Sequence, residues 1–443
     1  MSTSVSFYKR IMEKIKRYIK SFMPRKIWNF LHEFRHIIHL VKYSSSNYYA
    51  EMRVRKKTGK LKVLFIALWD NNWKYDSLFK LMQNNPNFDP IILVCPIVSH
   101  GRDYMLVMLK QCSEFFKRKG YPYILSYDDD SDTYFDALSI EPDLVFFTNP
   151  YPGVIDEHYR REKFKNSLTC YSNYFYVALK DTWGFAEDFH KSLWRYYVEN
   201  QILYKQIRLN NTFFSQNCRV TGYPLFDNFR LYQISDKDWP LKESHKKRII
   251  WAPHHTIKGH TEGYYALSTF EMYYEFMLDI AKKYENELEI VFKPHPLLRA
   301  HLYESEDWGK IKTDSYYEMW ANGKNTAYVD GEYIGLFLAS DGMIHDCNSF
   351  TIEYLAVNKP VMFLDSGKTG DKFNEVVDEA RLCHYNGTSN ADIDNFIKDV
   401  ILGSNDSLNL KREQFRNKYI FPVAGKSIAE NIVDDLLTSL GRK

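Results

Sequence analysis

The sequence lacks paired cysteines, long apolar runs and internal repeats. Its six cysteines, at positions 95, 112, 170, 218, 347 and 383, include no CxxC pair. This disfavours a disulfide framework or a cysteine metal site and predicts free thiols in a reducing cytoplasm. No run of roughly 18 or more apolar residues occurs, so we expect no membrane-spanning helix. Charges interrupt every apolar stretch that would serve a signal peptide, and none is expected.

Charge is unevenly distributed along the chain. Residues 1–60 contain fifteen Lys or Arg and three Glu, so they carry +12 although the whole chain of 443 residues carries only +3. The remaining 383 residues therefore carry −9. A basic arm precedes an acidic body, and this disfavours nucleic acid as the partner of the body.

The basic arm has apolar residues in helical rhythm. Residues 7–22 and 27–41 each place an apolar residue every three or four positions, with Lys and Arg around them. This pattern predicts amphipathic helices that lie on an anionic membrane surface through residues 1–42. The alternative is a pair of helices that pack on the protein body with their charges in solvent.

The rest of the chain alternates strand-like and helix-like segments. A chain of this length is expected to form two cores, since one core rarely exceeds roughly 250 to 300 residues. Strands that alternate with helices predict parallel sheets covered on both faces. We expect an arm at 1–60, a first domain at 61–235 and a second domain at 236–443, with residues 231–247 as the hinge.

The most informative segment is residues 340–364, which reads as strand, polar turn, short helix and buried strand. Such a turn at the carboxyl end of a parallel strand is where α/β folds hold phosphorylated ligands. Ser349 is expected to cap the helix, whose N-terminus would face an anion. Glu353, one turn in, is placed to accept hydrogen bonds from a ribose. The alternative is an ordinary capped helix between two buried strands.

Two other loops of the second half carry histidines. Residues 293–296 read Lys-Pro-His-Pro, and Pro294 keeps the chain extended, so that Lys293 and His295 face the same side. Both suit a phosphate, the lysine as a point charge and the histidine as a donor or proton carrier. Because the carboxyl ends of parallel strands share one edge, all three loops are expected to converge. Further candidates for phosphate contact are His254, His255, Lys258 and, on a helix that starts near Leu297, Arg299.

A metal site formed by these residues is not expected. His254, His255, His295 and Asp346 are the candidate ligands, but adjacent histidines point to opposite sides of an extended chain. Cys347 is interpreted as a small turn residue. We therefore expect neither a metal nor another cofactor.

Four motifs in the second half resemble those of CDP-glycerol glycerophosphotransferases, which build teichoic-acid-like polymers. They are GYP, WAPHHT, KPHP and, above all, SDGMIHDCNSFTIEYLAVNKPVMF, spread over residues 220–364. The resemblance implies a GT-B fold, with two Rossmann-like domains that face each other across a cleft and a donor nucleotide held mainly by the second. It also implies peripheral attachment to the cytoplasmic face of a bacterial membrane, which agrees with the basic arm.

The resemblance also implies roles for individual residues. The family's Asp-Tyr-Ser-Ser turn resembles Asp346-Cys347-Asn348-Ser349, with Ser349 on the donor phosphates and Glu353 on the ribose. The family's His-Pro element matches His295-Pro296, a contact that stabilises the leaving group. The family's Trp-His-Gly element, whose His acts as the base, is absent from this sequence. The candidates for that base are Asp181, Glu187, Asp188 and His190, of which His190 is preferred.

Three functions are consistent with these observations. The first is transfer of glycerol phosphate or a related polyol phosphate from a CDP-activated donor to a hydroxyl of a membrane-associated glycan, with release of CMP, in capsule or teichoic-acid-like synthesis. The second is a GT-B glycosyltransferase that uses a nucleotide sugar for capsule or lipopolysaccharide. The third is a catalytically inactive membrane scaffold, which the missing base keeps open.

Overall fold

Two parallel β-sheets, each covered by helices, form the protein. The computed structural model describes residues 25–178, 180, 188–210, 215–242, 245–260, 266–368, 373–421 and 425–442. The predicted arm helix at 7–22 and the base candidates Asp181 and Glu187 lie outside these ranges.

The first sheet has seven parallel strands in the order β3-β2-β1-β6-β7-β8-β9. Its central strands, β1, β6 and β7, are buried along almost their whole length, because helices cover both faces. The strands up to β9, with the β4–β5 hairpin included, are β1 (Leu61–Ala67), β2 (Phe88–Val94), β3 (Tyr123–Leu125), β4 (Tyr127–Asp128), β5 (Thr133–Tyr134), β6 (Leu144–Phe147), β7 (Leu168–Ser172), β8 (Arg195–Val198) and β9 (Cys218–Val220).

The helices of this half follow the strands in alternation, as the sequence predicts. They are α1 (Arg25–Lys56), α2 (Asp76–Gln83), α3 (Arg102–Arg118), α4 (Asp188–Ser192), α5 (Gln201–Asn210) and α6 (Leu225–Leu231), with single 3₁₀ turns at Ala137–Ile140, Glu157–Tyr159 and Arg161–Lys163.

The second sheet has six parallel strands in the order β12-β11-β10-β13-β14-β15. Ala252, the last residue of β10, pairs with His345, the last residue of β13. The loops that follow these two strands therefore start side by side. The strands are β10 (Lys247–Ala252), β11 (Leu288–Phe292), β12 (Thr326–Tyr328), β13 (Gly342–His345), β14 (Val361–Leu364) and β15 (Tyr385–Gly387).

Helices of the second half pack on both faces of this sheet. The segment predicted as one short helix is a turn of α-helix followed by a 3₁₀ turn at Tyr354–Val357. The α-helices are α7 (Phe270–Lys283), α8 (Leu297–Glu304), α9 (Gly309–Asn322), α10 (Ile334–Ala339), α11 (Phe350–Glu353), α12 (Glu375–Arg381), α13 (Asn390–Asn395), α14 (Asn409–Phe415) and α15 (Ile428–Ser439), with wider helical turns at Phe396–Leu402 and Arg416–Ile420.

The last helix, α15, returns to the first sheet. The backbone N–H groups of Ile428 and Ala429 donate to the carboxylate of Asp227, and Arg195 pairs with Asp435 at 3.1 Å. Gly222, which has φ of +102°, lies so close that a Cβ there would come within 2.7 Å of the Ile428 side chain. Helix α15, which follows the second sheet in the chain, therefore packs on the first half. The domain limits 61–235 and 236–443 stay a prediction.

Part of the basic arm packs on the protein body. Helix α1 is longer than the predicted 27–41 segment, and Val54, near its end, is fully buried. Arg53 and Lys57 both pair with the buried carboxylate of Asp143. The part of this helix that follows the predicted segment therefore packs on the body, whereas attachment of residues 1–42 to a membrane stays a prediction. Within the described ranges, every helix is too short or too polar to cross a bilayer.

Candidate functional site

Three loops meet at the carboxyl edge of the second sheet, as the sequence predicts. The backbone N–H of His254 donates to Asp346 Oδ1, and the N–H of His295 donates to the carbonyl of Pro253 at 2.9 Å. Cys347 Sγ donates to the carbonyl of Ala252 at 3.1 Å. The loops after β10, β11 and β13 therefore form one unit.

The side chains of His254, His255 and His295 form a cluster. Their ring centroids lie 4.3 Å apart for His254 and His255, 5.1 Å for His254 and His295, and 4.2 Å for His255 and His295. The expectation that the two adjacent histidines point to opposite sides was wrong. The chain bends at His255 instead of continuing extended, so both rings turn the same way.

Hydrogen bonds fix where each ring carries its proton. The backbone N–H of Leu297 donates to His295 Nδ1 at 3.2 Å, so the neutral ring has its proton on Nε2. Thr256 Oγ1 accepts from the N–H groups of Leu267 and Ser268, and its own hydroxyl proton is left for His254 Nδ1, 3.0 Å away. His254 is therefore also an Nε2–H tautomer.

The position of the proton on His255 follows from its contact with a fourth histidine, His301. His301 Nδ1 lies 2.9 Å from the carbonyl of His255, which can only accept, so His301 carries a proton on Nδ1. His255 Nδ1 lies 3.4 Å from this N–H and faces it as an acceptor. Each of the three clustered rings thus presents an N–H group rather than a free nitrogen lone pair.

The cluster is neutral at physiological pH. Burial, with a smaller contribution from the neighbouring imidazoles, lowers the pKa of His254 to about 2, of His255 to about 4 and of His295 to about 3. Imidazoles in this state donate hydrogen bonds without bringing a positive charge.

The positive charge at this edge comes from Lys293. Its side chain is buried, and Nζ donates to the carbonyl of Gly331 at 2.9 Å. Burial lowers its pKa to about 8, although Asp330 acts in the opposite direction. Lys293 therefore remains a cation near neutral pH in a poorly solvated position, where its attraction for an anion is strong.

Asp346 joins two segments of the site through hydrogen bonds. Its carboxylate accepts from the N–H of His254 and from both the N–H and the hydroxyl of Thr269, the hydroxyl at 2.8 Å. Burial raises its pKa to about 6, and these hydrogen bonds limit the rise. These contacts position the His254 loop, and the assignment of Asp346 to the donor stays a prediction.

The turn after β13 differs from its predicted form at Ser349. This residue already has helical backbone angles, and its side chain makes no capping hydrogen bond, so the capping prediction was wrong. Asn348 Oδ1 is buried and has no hydrogen-bond partner among the described residues. A buried unsatisfied amide oxygen is a group that a ligand donor or a water would satisfy.

Glu353, the predicted ribose contact, is buried and already bonded. Tyr333 Oη donates to its carboxylate at 2.6 Å, and Lys74 Nζ lies 3.4 Å from Tyr333 Oη. Lys74 belongs to the first half of the chain, so this group joins the two halves. Burial raises the pKa of Glu353, and Lys74 opposes this. Its role toward a ribose stays a prediction.

Two predicted phosphate contacts point elsewhere. Arg299 lies on the predicted helix, α8, but its guanidinium pairs with Asp314 at 2.6 Å. Lys258 is exposed and lies 3.5 Å from Asp307. Neither side chain joins the histidine cluster as the structure has it.

The preferred base candidate, His190, is in the core of the first half. Its ring packs against Tyr171, Phe189 and Tyr196, and neither nitrogen has a partner among the described residues. Burial lowers its pKa to about 3. A ring shielded on all sides does not reach an acceptor hydroxyl, so the structure contradicts this prediction. Asp188, the remaining described candidate, is exposed at the start of α4.

Sequence reasoning missed several residues that shape the site. Thr256 and His301 set the tautomers of the cluster, Thr269 holds Asp346, and Lys74 contacts Tyr333, which donates to Glu353. His301 was visible in the sequence as a further histidine six residues after His295. The contact of Lys74 had no local signal.

The arrangement suits an anion better than a cation. A ring nitrogen of each of His254, His255 and His295 lies within 4.8 Å of the other two, a spacing that would fit a metal ion. A metal needs a lone pair from each ring, whereas the hydrogen bonds described above leave N–H groups. Neutral imidazoles that donate through N–H groups, at the same sheet edge as Lys293, suit phosphate oxygens.

Comparison with solved structures identifies the fold as GT-B. A variant of the wall teichoic acid polymerase TagF has 14% identity over 94% of this chain and 99% of its own, with a TM-score of 0.58. S. aureus MnaA in complex with UDP has 15% identity over 86% and 98%, with a TM-score of 0.52. Neisseria meningitidis UDP-GlcNAc 2-epimerase bound to UDP-GlcNAc has 14% identity over 86% and 100%, with a TM-score of 0.52.

Sequence comparison supplies the family. No curated protein sequence matches the chain. A family model described as CDP-Glycerol:Poly(glycerophosphate) glycerophosphotransferase matches residues 185–435, more than half of the chain and the whole of the histidine cluster. The chain therefore belongs to the CDP-glycerol glycerophosphotransferase family and is a transferase of that type.

Proposed function

We propose that the protein transfers glycerol phosphate, or a related polyol phosphate, from a CDP-activated donor to a hydroxyl of a membrane-associated glycan or polymer and releases CMP. Membership of the family supports the reaction class. One of the structurally similar TagF variants was soaked with CDPG, which makes this the first donor to test.

The observation that carries the proposal is the cluster of three neutral imidazoles at the sheet edge that also carries Lys293. In the proposed reaction an acceptor hydroxyl attacks the β-phosphorus and gives its proton to solvent, the bond from this phosphorus to the bridging oxygen breaks, and CMP leaves with the electron pair. His295 and Lys293 then offset the charge that grows on the phosphate oxygens. Such catalysis consists mainly of positioning and electrostatic stabilisation.

The proposed setting is the cytoplasmic face of a bacterial membrane, where the acceptor would be capsule-like or teichoic-acid-like. The +12 charge of residues 1–60 supports it, since basic amphipathic segments bind anionic lipid surfaces. Binding to vesicles that contain phosphatidylglycerol, compared with vesicles of phosphatidylcholine alone, tests this attachment in full-length protein and in a variant without residues 1–24.

A nucleotide-sugar glycosyltransferase is the second candidate. It is favoured by the structural likeness to epimerases whose structures contain UDP or UDP-GlcNAc. The two reactions share the nucleotide site but differ in the reacting atom, which is phosphorus in one and an anomeric carbon in the other.

One assay separates the candidates. The protein is incubated with CDP-glycerol or with a panel of nucleotide sugars and a glycan acceptor, and the released nucleotide and the product mass are measured. CMP with a glycerol phosphate adduct supports our proposal, whereas UDP or GDP with a sugar adduct supports the second candidate. Nucleotide binding without turnover on any acceptor supports the inactive scaffold.

A further inference from the structure

A cavity of about 350 Å³ lies between helix α1 and the connections of the first sheet. None of its lining residues belongs to the histidine cluster. Its walls come from the connection between β6 and β7, from α4 and from α1. The lining combines apolar surface with two arginines and is formed by Tyr43, Pro150, Pro152, Arg160, Arg161, Glu162, Asp188, Phe189 and Ser192.

Arg161 is the unusual member of this lining. Its side chain is only 3% exposed, and its guanidinium donates to the carbonyls of Phe164 and Ser192 and to Asn47 Oδ1, all neutral oxygens. Its Nε has no hydrogen-bond partner among the described residues. Buried charges in proteins are normally paired, because an uncompensated charge is costly to remove from water.

Arg160 likewise has no acidic partner among the described residues. Its guanidinium donates to the carbonyl of Ile155 at 3.2 Å and contacts that of Pro152 at 3.5 Å. The two acids of the lining, Glu162 and Asp188, are exposed, and in the described part of the chain neither forms an ion pair with Arg160 or Arg161. Glu162 acts on the buried guanidinium through space, so no described carboxylate is bonded to Arg161 directly.

The walls indicate what else the ligand carries. The ring of Tyr43, from α1, lies 4.5 Å from the Arg161 guanidinium, and Pro150, Pro152 and Phe189 add apolar surface. A ligand that fits has an anionic group next to an apolar chain. Arginine forks suit phosphate oxygens, and the apolar walls suit the first carbons of a chain.

We propose that this cavity binds a phosphate group that carries an apolar or glycerol substituent, with Arg160 and Arg161 on the phosphate and Tyr43 over its substituent. Two sources have this chemistry: the head group of an anionic lipid beneath the arm, and the phosphodiester of an acceptor polymer. The proposal is independent of the donor, because none of its residues belongs to the histidine cluster.

The test uses the full-length protein with octyl phosphate as the probe and octanol and inorganic phosphate as comparisons, measured by isothermal titration calorimetry. We expect saturable binding of octyl phosphate and at least roughly tenfold weaker binding in Arg160→Gln and Arg161→Met, as is usual when an arginine is lost from a phosphate contact. Arg102→Gln, which removes an exposed arginine paired with Asp129, is the matched control and should bind as the wild type does.

Further arms identify the source and separate binding from folding. Displacement of octyl phosphate by phosphatidylglycerol vesicles identifies a lipid head group, and displacement by a short glycerol phosphate oligomer identifies an acceptor. Because Arg161→Met also removes a contact to Asn47 of the arm, its melting temperature is measured together with that of Arg160→Gln. If octyl phosphate binds no better than octanol, or if folded Arg160→Gln binds it as tightly as the wild type, the proposal is overturned.

Discussion

Asp346 and His254 are 92 positions apart in the chain, yet the Asp346 carboxylate accepts the backbone N–H of His254. The same carboxylate holds the N-terminus of α7 through Thr269. Asp346, which motif similarity assigns to the donor, therefore fixes the position of the His254 loop relative to the start of α7.

Loss of these hydrogen bonds should loosen the contact between the His254 loop and the turn after β13. In Asp346→Asn, an amide N–H₂ replaces one of the two acceptor oxygens and faces either the N–H of His254 or the donors of Thr269. We expect a loss of about 1–3 kcal/mol in the free energy of unfolding, measured by urea denaturation, and a rise in the KM for the donor. The exposed Asp307→Asn is the control. An unchanged free energy of unfolding would contradict this positioning role of Asp346.

His295 should matter most for turnover. His295→Ala removes an N–H that stabilises charge on the phosphate, and we expect kcat to fall on the order of a hundredfold or more, measured as CMP release. His158→Ala, which removes a histidine beside Asp156 in the first half, should leave kcat unchanged. A fall of less than a few fold would remove His295 from the reaction.

The histidine cluster should make the protein less stable in acid. The folded-state pKa of His255, about 4, lies below its usual value of 6.5, so the folded state binds fewer protons than the unfolded state between these values. The stabilisation is present above about pH 6.5 and is lost as the pH falls toward 4. We expect the unfolding free energy to decline less steeply over this range in His255→Gln than in the wild type, and equal slopes would refute the assignment.

Donor binding should not require a metal bound by the histidine cluster. Because the three rings present N–H groups, we expect prolonged dialysis against EDTA, followed by assay in metal-free buffer, to leave donor binding unchanged. Metal content is measured by mass spectrometry before and after dialysis. A stoichiometric metal that is lost together with donor affinity, and restored by added zinc, would overturn the tautomer argument.

The hydroxyl of Tyr333, which contacts both Lys74 of the first half and Glu353, should stabilise the junction of the two halves. Tyr333→Phe leaves a buried carboxylate without its hydroxyl donor, so we expect its pKa to rise further and the unfolding free energy to fall by about 1–3 kcal/mol. Tyr328→Phe, whose hydroxyl lies 3.5 Å from Asp330, is the control. Equal unfolding midpoints in urea for the two variants would show that the contact adds nothing.

The loop positions of the site were predictable from sequence, but its inner contacts were not. Pro294 and the buried strand before it placed Lys293 and His295 at the sheet edge. The error over His254 and His255 arose because a single bend at His255 turns both rings to one side, and a local pattern of residue types does not encode such a bend. His190 was misjudged because burial depends on the aromatic rings that surround it, which come from β7, α4 and β8.

The two parallel sheets could be predicted from local sequence, because strands that helices cover on both faces are mainly apolar and such strands can be recognised locally. The polar loops after β10, β11 and β13 could be predicted in the same way. Which side chains meet depended on the folded chain. The register that pairs Ala252 with His345, the return of α15 to the first sheet and the burial of Arg161 without a directly bonded carboxylate among the described residues all depend on contacts between segments distant in the chain. Their energies arise from burial and geometry that no short stretch of residues specifies.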